Sequence, residues 1–571
     1  MMSDLVATLL HKRGITEKEE IEKFLKPDFA RDMHDPFLLN DMQKAVDRVF
    51  AAMDAGERIA VYADFDCDGI PGAALLYEFF QKIGYANPIR EPQAASNGAG
   101  VEVYIPHRDR EGYGFHIEAV DSLKAKGVSL IVTIDVGTVA HEGIAHAKSK
   151  GIDVIVTDHH QIPGERPDAY AVVNPKIASY PFPDLCGAAV AWKLVCALLI
   201  EGRKRSLPQF TAIPEGWEKW LLDLVAIATI ADLVPLRGEN RALAHFGLTV
   251  LRKTPRAGIR ALCATTRVRQ PTITEDDIGF SFAPRINAAS RMDEPELAFK
   301  LLTTKNADEA AEIATQLESL NRKRKGVVAA IVRDAKQRVR TRYSAQHTVV
   351  VLGDTEWKPA LMGLAANSIM EDRGGVCVMW GKDANGKLKG SARSDGSISV
   401  VELFAKAGDA LIEFGGHHAS GGFSVSREAV HTLPERLEQA ASELEAKPKE
   451  KSHDADAELL LREVSTVLLN DLSRLAPFGI GNKKPLFRVR SARVTFARQF
   501  GKEMNHTEVT LVCPESGMQQ RAFQYFRTPM DFTVAPSPGT LVDMLATLER
   551  DTFRGPDRLA LRIADIVHPR V

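Results

Sequence analysis

The sequence predicts an α/β protein in which a parallel-sheet lobe, a long connecting helix, a second α/β lobe and a small β-barrel follow one another. Three observations predict it. Short apolar runs alternate with helical patterns from about residue 55, as βαβ units do. A proline-free helical pattern runs from about Asn306 to Arg340. Beyond the charged, alanine-rich stretch Glu443 to Asp456, short strands alternate with turns at the spacing of a closed barrel.

Residues 1–54 read as short helices; the one over Thr16 to Leu25 stops at Pro27, and another starts at Asn40. The first lobe, residues 55–303, opens with the run Ile59 to Ala63, which leads into Asp64-Phe-Asp66-Cys-Asp68-Gly69. A helix over Pro71 to Ile83 follows, with proline near its first turn. Pro92 to Gly100 has the composition of a loop, and Asp121 to Lys126 and Glu142 to Lys150 supply crossover helices. Leu130 to Ile134 leads into Asp135-Val-Gly137, Asp153 to Thr157 into Asp158-His159-His160, and Leu224 to Ile230 into Ala231-Asp232. All four runs read as buried strands that end in carboxylate or imidazole.

In the connecting helix, residues 304–345, Ala310, Ile313, Ala314, Leu317 and Leu320 share a face. Its run Arg322-Lys-Arg-Lys325 reads equally as a solvated face or as a phosphate-contacting stripe. The second lobe, residues 346–446, has strands at Thr348 to Leu352 and Val376 to Met379 around a helix from Leu361 to Met370, then glycine-rich Phe414 to Phe423. Residues 447–571 give strands at Leu486–Val489, Arg493–Phe496, Thr507–Val512, Gln520–Tyr525, Leu541–Leu548 and Arg558–Ile563.

A chain of 571 residues exceeds one hydrophobic core, so two to four domains are expected. With 45% hydrophobic and 26% charged residues the composition is that of a globular protein. The amino end lacks the order of a signal peptide, and no apolar stretch is long enough to span a bilayer. Six scattered cysteines give neither zinc spacing nor a disulfide framework, which points to a reducing cytoplasm. The net charge of −2 leaves room for a local basic channel.

Asp64, Asp66 and Asp68 cannot be buried unpaired, because each isolated charge costs several kcal/mol. Their spacing also opens an EF-hand loop, but a strand precedes it and Pro71-Gly72 follows, which is the wrong context. Asp158-His159-His160 at a strand end is uncommon, whereas Asp135 or Asp232 alone could be a helix cap. Together they form a carboxylate-rich set with imidazole. In an open parallel sheet such groups gather beyond the carboxyl ends of the strands. The set suits Mn2+ or Mg2+, and paired cations about 3.5–4 Å apart suit phosphate-ester hydrolysis.

In order, Asp64 to Gly69, Asp135 to Gly137, Asp158 to His160 and Ala231-Asp-Leu-Val-Pro235 resemble the four motifs of the DHH phosphoesterase family. Phe282 to Arg291, Lys389 to Ser394, Gly415 to His417, and Pro477 to Asn482 with Pro485 to Phe487 resemble its single-strand-specific DNA exonuclease branch. That resemblance implies a DHHA1-like second lobe and an OB-type barrel. It implies cutting from the 5′ end by a two-metal mechanism that releases 5′-mononucleotides, in repair and recombination.

By position, Asp66 and Asp68 would each bind one cation with Asp64 beside them, Asp135 would bridge, and His159 and Asp232 would complete the second site. Asp158 and His160 join the catalytic set, with His160 near the scissile phosphate. Ser391, Arg393, Gly415, Gly416 and His417 would hold the phosphate or strand end; Arg285, Asn287 and Arg291 would line the strand path. The chain departs from the family at Lys358, His418, Cys67 and Pro71, none of them an expected metal ligand. The expected partner is single-stranded DNA, with a helicase and a single-strand-binding protein upstream; the expected state is a monomer without membrane attachment. On the barrel, Phe487, Phe496, Phe523, Tyr525 and Phe526 could stack bases, though core packing is the plainer reading for most. Arg488, Arg490, Arg493, Arg498, Lys502 and Arg527 suggest a basic barrel surface. Two other readings stay open: a small-substrate phosphoesterase of the same superfamily, which predicts no barrel, and an inactive replication scaffold, which predicts lost ligands.

Overall fold

The apolar runs form strands because both of their faces are buried. β1 (Arg58–Ala63), β2 (Gly100–Tyr104), β3 (Val128–Ile134), β4 (Asp153–Thr157) and β5 (Ala171–Val173) make a parallel sheet in the order β2-β1-β3-β4-β5. Such strands carry continuous rather than alternating hydrophobicity because helices cover both sides of the sheet. The structure, a computed structural model, describes residues 3–85, 100–162, 164–177, 180–344, 346–445, 454–551 and 558–570. Residues 92–99 of the composition-based loop and residues 446–453 of the charged stretch lie outside them. β2 has no counterpart in the sequence reading.

One expectation is overturned. Leu224 to Ile230 is not a strand but part of the helix Leu222–Ala231. Every residue from Leu222 to Ile230 is buried, so no polar face marks the helical period, and a short apolar run looks the same in either state. Asp232 therefore caps a buried helix instead of ending a strand.

The chain divides into two compact units. One comprises residues 34–234 and 246–450. Besides the first sheet it holds the helix Ala307–Arg342 and a second sheet of β6 (Val349–Gly353), β7 (Val376–Lys382), β8 (Leu388–Ser394), β9 (Glu413–Gly416) and β10 (Ser420–Val425), ordered β6-β7-β8-β10-β9. Only β6 and β7 pair parallel in that sheet.

The other unit comprises residues 1–33, 235–245 and 451–571. Its strands are β11 (Ala457–Leu460), β12 (Phe487–Phe500), β13 (His506–Val512), β14 (Gln519–Gln524), β15 (Leu541–Arg550) and β16 (Leu559–Val567). The order β12-β13-β14-β16-β15 closes through pairing of β12 with β15, and β11 adds alongside β12. The expected strands at Leu486–Val489 and Arg493–Phe496 are one strand. Its pairing with β15 shifts register between Val489 and Ala492, a bulge that bends the strand around the barrel. Val6, Leu9, Leu10 and Phe24 of the amino-terminal helices share the core of this barrel with Val489, Leu511 and Ile563. Arg241 is buried in the same unit: its guanidinium donates to the carbonyls of Phe24, Leu475 and Ala476 and lies 3.7 Å from the Phe24 ring centroid.

Candidate metal centre

The backbone ladder of the first sheet continues one rung past its strands. Asp64 N–H donates to Ile134 O (3.1 Å), Asp135 N–H to Thr157 O (3.0 Å) and Asp158 N–H to Val173 O (3.1 Å). Three acidic residues far apart in sequence are thereby held in a row along one edge of the sheet. Asp135 takes the left-handed conformation (φ 61°), which a short polar side chain tolerates better than most.

Asp66 turns back, its Oδ1 accepting from Asp68 N–H (2.7 Å) and Gly69 N–H (3.2 Å). Asp68 meets the amino end of the helix Gly187–Lys204, where Gly187 N–H and Ala188 N–H donate to its two oxygens at 2.6 and 2.7 Å. Helix amino ends favour negative charge. A side chain at Gly187 would lie 2.6 Å from Asp135 Cβ, so only glycine lets the helix come this close.

His159 Nε2 lies 3.2 Å from Asp135 Oδ1, 3.7 Å from Asp232 Oδ2 and 3.8 Å from Asp68 Oδ2. Ligand-type atoms lie within 4.8 Å of one another in three groups: Asp64, Asp66 and Asp135; Asp68, His159 and Asp232; Asp135, His159 and His160. Asp158 faces away from these, accepting from Thr138 N–H (2.9 Å) and from the His160 ring (2.8 Å).

The electrostatics follow from burial and crowding. Burial, then neighbouring carboxylates, push Asp64 and Asp135 well above the usual carboxyl range, Asp68 to about 7 and Asp232 to about 9. Burial and then the charge of His160 lower His159 to about 3, so its ring is neutral. Burial opposes charge on His160, but Asp158 outweighs it and lifts the ring to about 9. Asp158 itself is held below its ordinary value, since His160 overcomes the penalty of burial.

Asp64 Oδ1 and Asp135 Oδ1 are buried without a hydrogen-bond donor. Neutral imidazole and mutually repelling carboxylates, two of them orphaned, call for a positive charge in their midst. The donor set of carboxylate oxygens with imidazole nitrogen fits Mn2+ or Mg2+.

The groups expected at the strand end divide. His417, with its N–H on Ser420 O, presents its ring 6.5 Å from that of His160, nearly parallel at 19°. Gly415 and Gly416 lie on β9, paired with Gly422 and Gly421, and Ser391 on β8 pairs with Gly422. Arg393 packs against Gly363, where a Cβ would come within 2.6 Å of its Nη2. Asn287 Oδ1 accepts Cys67 N–H at 3.0 Å, between Asp66 and Asp68 in the chain. Arg291 donates to Ala360 O, whereas Arg285 is turned to Glu318 at 2.9 Å.

Three residues at the site went unforeseen. Arg108 stacks 4.6 Å from the Phe65 ring centroid and feels the charges of Asp64 and Asp66. Burial, then Arg108, Arg324 and Arg393, press on the charge of Arg291, so cations cluster beside the carboxylates. Tyr113 OH donates to Asp135 O at 3.2 Å, and Lys176 Nζ to His159 O. All three lie in loops without a periodic pattern; the only signal was the density of charge in His107-Arg-Asp-Arg110.

The barrel surface is less basic than expected. Arg488, Arg490 and Arg498 are paired with Asp543, Glu458 and Glu508 at 3.0, 3.1 and 2.6 Å. Phe487 and Phe523 are core residues, whereas Phe496 and Phe526 are exposed.

Fold and site define the class: the family described as DHH family, N-terminal domain, matches residues 58–229, the DHHA1 domain residues 344–447 and the RecJ OB domain residues 455–565. The single-stranded-DNA-specific exonuclease RecJ of Salmonella typhimurium is 31% identical over 98% of this chain and 95% of its own length. The RecJ exonuclease of Bacillus subtilis is 34% identical over 89% of this chain, which spans 62% of that longer relative. The crystal structure of Thermus thermophilus RecJ in complex with Mn2+ superposes with a TM-score of 0.79 at 27% identity, covering all of this chain and 76% of that one. The chain belongs to the RecJ family of single-stranded-DNA-specific exonucleases.

Proposed function

We propose that this protein is a metal-dependent exodeoxyribonuclease that degrades single-stranded DNA from the 5′ end and releases 5′-mononucleotides, in DNA repair and recombination. The observation that carries the reading is the convergence of orphaned carboxylate oxygens, a neutral imidazole and a cluster of arginines on one sheet edge. Asp64, Asp66 and Asp135 would hold one cation and Asp68, His159 and Asp232 the other, with Asp135 shared. When bound, a pair of divalent cations neutralises phosphoryl charge and lowers the pKa of water toward neutrality.

The side chains do the rest. His160, charged and fixed by Asp158, donates toward the scissile phosphate. Arg108, Arg291 and Arg393 attract the phosphate and match its developing charge. His417, with Ser391 and the glycine backbone of Gly415 and Gly416, holds the strand end. Chemistry is assigned to residues 55–303, the strand end to 346–446 across the connecting helix 304–345, and strand tracking to 447–571, where Phe496 and Phe526 are free to stack; residues 1–54 form the amino-terminal segment.

A helicase supplies the single strand and a single-strand-binding protein keeps it open. The protein works as a monomer in the cytoplasm, a compartment that suits its six free thiols. Among the described residues no helix is long and apolar enough to cross a membrane.

The test is a time course on single strands labelled separately at each end, with Mn2+, Mg2+ or chelator. The 5′ label is expected in mononucleotides first, with no reaction in chelator. Loss of the 3′ label first, or cutting of dinucleotides with long strands untouched, would overturn the assignment.

A further inference from the structure

Phe280 is 77% exposed, and a single exposed apolar residue needs no explanation by itself. Its setting is what calls for one. Phe280 sits in a π-helical turn, Ile278–Phe282, between the fully buried side chains of Ile278 and Phe282. Such turns are rare, and they recur at functional sites. Here a side chain supports the turn: Arg285 donates to Phe280 O (3.3 Å) and Ser281 O (3.0 Å) while its guanidinium also pairs with Glu318 at 2.9 Å. The aromatic ring is thus presented to solvent by a braced backbone.

Cations stand beside it. Glu318 lies on the helix Ala307–Arg342 and also approaches Arg322 Nε at 3.7 Å. Arg322 is exposed, and Lys325, one turn further along the same face, is exposed too and feels the charge of Arg285, so this side of the Arg322-Lys-Arg-Lys325 run lies next to the braced turn. Arg324 instead turns inward to Asn321 Oδ1 at 2.9 Å.

The turn also leads to the metal centre. It continues into the helix Ala283–Met292, where Asn287 accepts Cys67 N–H. At 1.5 Å per residue, Phe280 stands about 10 Å along the chain axis from Asn287.

We propose that Phe280 is a stacking platform for one base of the bound strand close to the cut end, with Arg322 and Lys325 taking the phosphates beside it. This inference rests on the single-strand reading above. An aromatic face accepts any base, which suits an enzyme that must pass every sequence, and flanking cations track the backbone. A flat ring next to solvated cations is a poor seat for an apolar peptide, whereas a nucleotide satisfies both.

The test is equilibrium binding in chelator, so that strands are held and not cut. The probe is a 5′-phosphorylated single strand carrying one abasic position, moved stepwise from the 5′ end. The wild-type protein is expected to lose affinity roughly tenfold at one position near that end, as the loss of one stacked base implies. Phe280→Ala should bind the intact strand roughly tenfold more weakly and show no such step; Phe280→Trp should restore both. Arg322→Gln with Lys325→Gln should flatten the slope of log affinity against log salt by about 0.7 per lost phosphate contact. A step that persists unchanged in Phe280→Ala, or an unchanged salt slope in the double variant, would overturn the inference. Wild-type protein that binds strands with this profile yet cuts none with Mn2+ would overturn the nuclease reading and leave this one standing.

Discussion

Asp135 concentrates the physics of the site in one residue. Its backbone takes the next rung of the sheet, its φ is left-handed, and its Oδ1 is buried without a donor beside the neutral ring of His159. Asp135→Ala is expected to abolish hydrolysis, by at least about a thousandfold, while single-strand binding stays within a few-fold of wild type. Single-turnover rates and binding isotherms check both, and retained cutting would refute its shared position between the cations. The raised carboxyls predict a pH dependence with a definite sign. Asp68 at about 7, Asp232 and His160 at about 9 all hold protons more tightly folded than unfolded. Without divalent cation, their stabilising contribution is complete below the unfolded pKa values, about 4 for the carboxyls and about 6.5 for His160, and is lost as pH rises from there to about 9. His159, lowered to about 3, has the opposite sign: its contribution grows as pH rises from about 3 to about 6.5 and is flat above that, so Asp232 and His160 carry the loss between pH 7 and 9. Saturating Mn2+ should flatten the dependence and raise stability, by about 2.7 kcal/mol at a hundredfold excess over Kd. All five tryptophans lie in the unit that carries the site, so intrinsic fluorescence reads its melting alone.

At the scale of elements, precision comes from close approach. The helix Gly187–Lys204 reaches Asp68 because residue 187 has no side chain, and Arg393 on β8 lies flat because Gly363, on the helix Pro359–Arg373, has none. Gly363→Ala is expected to displace the Arg393 guanidinium and weaken strand binding, by about 1–3 kcal/mol as for a charged hydrogen bond, with the lobe still folded. Binding titrations with circular dichroism as the folding control check it. Unchanged affinity would mean that Arg393 does not reach the strand. These contacts were illegible in the sequence, as the helix Leu222–Ala231 was, because uniform burial erases periodicity and a glycine does not announce its neighbour. The runs ahead of Asp64, Asp135 and Asp158 were legible, since β-branched residues between polar turns leave few alternatives.

At the scale of the whole molecule, the core of the barrel is not built from the carboxyl end alone. It includes Val6, Leu9, Leu10 and Phe24 from the other terminus. Leu9→Ala is expected to destabilise the barrel unit by about 2–5 kcal/mol, seen as faster amide exchange in β13 and β14. Unaltered exchange there would show that the amino-terminal helices merely rest on the barrel. Deletion after Lys451 should weaken binding to long strands more than it slows the chemical step. It should also leave residues 1–33 open to proteolysis, because their apolar face loses its cover. Limited proteolysis and single-turnover kinetics on the truncated chain separate the two effects, and equal processive degradation with and without the barrel would exclude a tracking role.

The sequence by itself determined the parallel sheet, the long helix, the second lobe, the barrel and the acidic and imidazole groups at their ends. Those features are written in local patterns of hydrophobicity and charge, and residue order suffices to state them. Tertiary structure alone decided that Arg108, Tyr113 and Lys176 join the site, that Gly187 is an obligatory gap while Gly363 leaves room for the Arg393 guanidinium, and that both termini share one core. Such facts depend on which distant surfaces meet, and no local period encodes that.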